Sequence, residues 1–79
     1  MHEVIKVTPL EGFCLLVQFE NGELKTKDMS SLLNKPAFRP LKDISFFKSA
    51  RVINGAITWI TSDGDEIDLC PDKTYQSSY

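Results

Sequence analysis

The chain has a single histidine, His2, and no two cysteines at the spacing of a redox or zinc motif. A Ser-His-Asp or Cys-His arrangement would therefore have to draw its base from the first few residues. The four glycines, Gly12, Gly22, Gly55 and Gly64, are scattered, so no glycine-rich phosphate loop can be assembled. No stretch approaches the roughly 18 apolar residues that cross a bilayer. "MHEVIKVTPL" carries Glu3 where a signal peptide needs an apolar run. A basic excess is missing as well, since nine lysines and arginines face eleven aspartates and glutamates for a formal charge of −2. Dedicated nucleic-acid binders usually show the opposite balance. These absences point to a cytoplasmic, non-enzymatic chain with no cofactor and no membrane contact.

What is present suits one small folded domain. The 79 residues are 42% hydrophobic and 25% charged, which is ordinary for a globular chain and too apolar for a disordered one. Cys14 lies in an apolar run and Cys70 just before Pro71, and in a reducing cytosol both are expected as thiols.

Periodicity predicts an α+β fold built on a small antiparallel β-sheet, with a β-meander, short helices and β-hairpins. "VIKVTPL" opens with β-branched residues and stops at Pro9 before a Glu11-Gly12 turn. "FCLLVQFE" puts Phe13, Leu15, Val17 and Phe19 on one face, and Cys14, Leu16, Gln18 and Glu20 on the other. Asn21-Gly22 predicts a type I′ hairpin that sets Phe19 opposite Leu24 and Val17 opposite Thr26. Lys25 and Lys27 then fall on a polar face suited to a sheet edge. Asp28 or Ser30 can cap a short turn carrying Leu32 and Leu33, and Pro36 and Pro40 forbid a long helix. Asp43 can cap "ISFFKSA", whose Phe46 or Phe47 is expected to dock on the face carrying Leu15, Val17 and Trp59. Asn54-Gly55 predicts a second hairpin with Val52 opposite Ile57, and Asp63-Gly64 a third turn. Residues 1–75 are expected as one domain, with 76–79 as a frayed tail.

The acidic stretch "SDGDEID" invites a metal reading that its spacing does not support. Counted from Asp63, a calcium loop needs oxygen at position 5 and glycine at 6, where Ile67 and Asp68 stand. Loose divalent binding by Asp63, Asp65 and Glu66 stays open, but a hairpin tip needs less. A strict two-residue loop would pair Ile60 with Ile67, opposite to the Ile57–Trp59 face. Either the sheet is covered on both faces or a bulge resets the alternation.

Two surfaces stand out as candidates for interaction. Lys35, Arg39, Lys42, Lys48 and Arg51 gather five basic residues against Asp43 alone, while Asp63 to Asp72 gathers five acidic residues and no basic one. Cys14 and Leu16 place apolar groups on the second face of their strand. The first reading is an interaction module that binds a protein partner or forms a homodimer. Its alternative is a nucleic-acid-associated regulator using the basic 35–51 segment. A third reading has Trp59 and Phe38 lining a small-ligand pocket, although both also fit as ordinary core aromatics.

The order of these segments resembles the bacterial family called domain of unknown function 2442. Its pattern runs through D-x-S-x-L-L, then P-x-F-x-x-L-x-D with a following Phe, then Gly-x-x-x-Trp and an Asp-rich end closing on Tyr. Asp28, Ser30, Leu32, Leu33, Pro36, Phe38, Leu41, Asp43, Phe47, Gly55, Trp59, Asp68, Pro71 and Tyr75 fall at matching places. The chain departs from it in a longer Trp59–Asp68 segment, and in Thr74 where leucine is usual. The resemblance implies a compact α+β fold and a bacterial origin, with no established activity. It also implies a neighbouring small protein as partner, in an arrangement like a toxin–antitoxin pair.

Overall fold

The computed structural model describes residues 2–78. Strands β1 (Val4–Leu10), β2 (Cys14–Phe19) and β3 (Leu24–Asp28) form the first antiparallel sheet in that order. Two 3₁₀ segments, Leu32–Asn34 and Pro36–Lys42, lead to helix α1 (Ile44–Phe47). Strands β4 (Arg51–Ile53), β5 (Ala56–Ile60) and β6 (Glu66–Leu69) form a second antiparallel sheet, and helix α2 (Pro71–Ser77) follows. This is the α+β domain of meanders, hairpins and short helices that the periodicity predicts. The sheets meet where the Val4 N–H donates to Gly55 O at 2.8 Å.

The inner faces share one core. Leu15, Val17 and Phe19 are fully buried, as the period-two pattern requires, and join Met29, Leu41, Ile57 and Trp59. Phe13 leaves the strand in a left-handed conformation (φ 58°) but still packs its ring edge-on to Phe47 at 5.3 Å. Asp43 caps α1 by accepting from the Ser45 N–H at 3.0 Å. That cap aims Phe47 inward, where it stacks near Trp59 with ring centroids 6.1 Å apart. Trp59 Nε1 donates to Phe47 O at 2.9 Å, so the buried indole N–H is satisfied. Phe46 stays half-buried. Of the two phenylalanines, Phe47 is the anchor.

The three Xaa-Gly turns divide in a way that periodicity does not foresee. Asn54-Gly55 forms the expected two-residue turn, with φ of 52° and 79°, and pairs Val52 with Ile57. At Asn21-Gly22 the loop has three residues instead. Gly22 N–H donates to Phe19 O, Phe19 N–H donates to Glu23 O, and only Gly22 is left-handed. This type I turn with a glycine bulge asks for one positive φ rather than two. The Asn21 side chain fixes it, accepting from Glu23 N–H and donating to Glu23 Oε1. The expected pairing of Phe19 with Leu24 is thereby corrected to Gln18 with Leu24.

A one-residue slip moves every side chain to the opposite face. Lys25 and Lys27 lie opposite Val17 and Leu15 on the inner side, while Leu24 is turned out to solvent. The same loop recurs at Asp63-Gly64, where Thr61 N–H donates to Asp65 O and Gly64 N–H to Thr61 O. It resets the alternation so that Ile67 joins Trp59, and Leu69 joins Ile57, on the core face. Of the two possibilities for that hairpin, the bulge is the one found.

Candidate functional site

Helix α2 was not legible as a helix, and it forms one wall of a groove. Pro71 stands at its first turn with Asp72 beside it, both favourable at a helix start. Thr74, where the family pattern has leucine, is buried and donates its hydroxyl to Cys70 O at 2.9 Å. Of the tail expected at 76–79, Gln76 and Ser77 complete α2, and Tyr79 lies outside the described residues. Tyr75 ties the helix to β3. Its hydroxyl donates to Glu23 Oε1 at 2.8 Å, Lys25 Nζ lies 3.7 Å from the ring centroid, and His2 stacks on the ring at 3.7 Å. The hydrogen bond to Glu23 holds the Tyr75 phenol above its ordinary pKa. His2 donates its main-chain N–H to Asp72 Oδ1 at 3.1 Å.

Between α2 and the 3₁₀ segments lies a cavity of about 690 Å³. Leu32, Phe38 and Leu69 give it apolar walls, and Lys27, Lys35 and Lys73 give it three ammonium groups against Asp68. Thr74, Gln76, Ser77 and Cys70 complete the lining. Lys27 is only 9% exposed, and its Nζ donates to Ser77 Oγ at 2.6 Å. Burial pushes its pKa below the ordinary 10.5, Asp28 partly offsets this, and Lys35 adds to the lowering.

That shift sets a sign for stability against pH. The unfolded chain holds the Lys27 proton more tightly than the folded one, so the ammonium costs stability below its lowered pKa. The cost fades as pH rises through that value toward 10.5. Lys27→Met is therefore expected to melt no lower than the parent at pH 7, with the difference narrowing on the alkaline side. Paired thermal melts from pH 7 to 10.5 check this, because Tyr75 affects both proteins alike. A gap that widened with pH would contradict the assignment.

The residues singled out in the sequence are not brought together. Lys35 lines the groove, and Arg39 lines a second, shallower hollow with Asp43, Phe46 and Thr61. Lys42 ends the second 3₁₀ segment and Lys48 caps the end of α1, both exposed. Arg51 sits in a row across the second sheet with Thr58 and Asp68. Phe38 does line a cavity as the small-ligand reading supposes, but Trp59 is fully buried in the core. Among the described residues, no three His, Cys, Asp or Glu side chains converge to hold a metal ion. Among the same residues, no helix is long and apolar enough to cross a membrane.

Cys14 and Leu16 lie on the outer face of the first sheet, where the pairing defines a grid of nine positions. Its rows are Lys6–Gln18–Leu24, Thr8–Leu16–Thr26 and Leu10–Cys14–Asp28. Leu24 is 62% and Leu10 39% exposed, and Ile5, at the irregularity beside Lys6, is 56% exposed. Leu10, Leu16 and Leu24 thus run along one diagonal of the grid. Lys6 and Asp28 hold the two corners off it. Asp28 accepts from Ser30 N–H and Ser30 Oγ, which lowers its pKa and keeps it charged near neutrality.

A family model described as a protein of unknown function (DUF2442) matches residues 4–77, nearly the whole chain. The chain belongs to that family. No curated protein and no solved structure matches it.

Proposed function

We propose that this family member is a non-enzymatic interaction module that docks through the outer face of the β1–β2–β3 sheet, with a second copy as occupant. The leucine diagonal between opposite charged corners carries the reading. A two-fold axis along Leu10, Leu16 and Leu24 lays each leucine on or beside its mate. The same rotation sets Lys6 of one copy over Asp28 of the other. Closed two-fold pairs require such a self-complementary patch, and near-orthogonal sheets are an accepted packing. Free thiols at Cys14 and Cys70 fit a reducing setting, such as the cytoplasm this reading supposes.

Sedimentation equilibrium tests the proposal. A dimer is expected at tens of micromolar, on the order of the affinity a small apolar interface supports. Leu16→Glu should give a monomer that melts within a few degrees of the parent. A parent that stayed monomeric throughout would overturn self-association. Capture of a neighbouring small protein on the same face would then favour a toxin–antitoxin-like pair. The nucleic-acid alternative has less support, because the basic 35–51 residues are dispersed over separate elements. Salt-sensitive duplex binding lost on changing Arg39 and Arg51 would restore it.

A further inference from the structure

We propose that the groove between α2 and the 3₁₀ segments binds a small amphiphilic anion, a carboxylate or phosphate head carried on an apolar body. Three observations converge on it. The cavity, about 690 Å³, falls in the size range of small-ligand sites. Its walls are apolar at Leu32, Phe38 and Leu69, and its charged groups are predominantly ammonium. Lys27 is more than nine-tenths buried and lines the cavity, yet it has no carboxylate at ion-pair distance among the described residues.

That last point is the one that asks for a ligand. An ammonium group has three donors, and Lys27 spends one on Ser77 Oγ. Ser77 in turn donates to Lys73 O, so its oxygen is held as an acceptor facing Lys27. Asp28 relieves the Lys27 charge only from beyond ion-pair distance, and Lys35 presses on it in the opposite sense. A buried cation with no carboxylate in direct contact is costly, and more so beside a second cation. An anionic head placed among Lys27, Lys35 and Lys73 would remove that cost, while its apolar part covers Phe38 and Leu69. This site is separate from the outer sheet face, so either proposal can fail alone.

The test uses hexanoate, hexyl phosphate, inorganic phosphate, hexanol and hexylamine as probes, followed by calorimetry and by lysine NMR signals. One of the two hexyl anions should bind once per chain, and the tighter head identifies the class. Inorganic phosphate should bind at least about tenfold more weakly for want of the apolar contact. Lys27→Met and Lys73→Gln should each weaken binding by about tenfold, while Lys48→Met, outside the groove, should leave it unchanged. Circular dichroism confirms that each variant is folded. Hexanol or hexylamine binding as tightly as the anions would overturn the proposal. So would no binding of either anion at millimolar concentration, or folded Lys27 and Lys73 variants that bind like the parent.

Discussion

Phe47→Ala should nearly unfold the protein, and Phe46→Ala should be mild. Truncating a buried phenylalanine costs about 3–5 kcal/mol, against a total of about 5–8 kcal/mol for a domain this small. Phe47 is fully buried, with Phe13 edge-on and Trp59 stacked beside it. Its main-chain carbonyl also holds the Trp59 indole N–H, so a collapse around the missing ring would disturb a second buried group. Phe46 is half-buried beside the shallow hollow and has less to lose. Urea denaturation of both variants separates them. Equal losses would mean that α1 does not dock through one anchor.

The second large effect is expected at Gly55. Its φ of 79° is left-handed, and an added Cβ would sit 3.0 Å from Glu3 Cγ and 3.1 Å from Glu3 Cβ. Gly55 O also accepts the Val4 N–H that joins the two sheets, so the turn has little freedom to move away. Backbone strain of this kind costs about 1–3 kcal/mol, and the contact with Glu3 places Gly55→Ala toward the upper end. Gly22 and Gly64, with φ of 87° and 90°, have nothing within 4 Å of an added Cβ. Alanine there should incur the backbone strain alone. Thermal melts should therefore rank Gly55→Ala below both of the others, and an equal drop at all three would contradict the close approach of Glu3.

Local chemistry made most of the fold legible. Periodicity placed Leu15, Val17 and Phe19 in the core, and the Asp43 cap and the Asn54-Gly55 turn are as the residues suggest. The groove was hidden for a physical reason. Asn-Gly and Asp-Gly serve both a two-residue turn and the end of a three-residue bulged loop, and the two differ by one residue in register. With the bulged loop at Gly22, Lys25 and Lys27 turn inward and Leu24 outward. Two lysines facing a core would be disfavoured in the strand alone. They become tolerable because α2 supplies Tyr75 O, the Tyr75 ring and Ser77 Oγ as acceptors. That helix has its own signal in Pro71 and Asp72, but seven residues leave too little periodicity to separate it from a loop.

The slip of register also completes the outer leucine diagonal, since it is what turns Leu24 to solvent. The interaction reading is therefore tested most directly through the charges at the ends of the other diagonal. Sedimentation equilibrium should be run on Lys6→Asp, on Asp28→Lys and on the double variant. Each single change sets like charges against each other across the two-fold axis and should shift the equilibrium toward monomer. The double change restores opposite charges at both contacts and should recover the dimer. A double variant as dissociated as either single one, with all three folded, would contradict docking through this face.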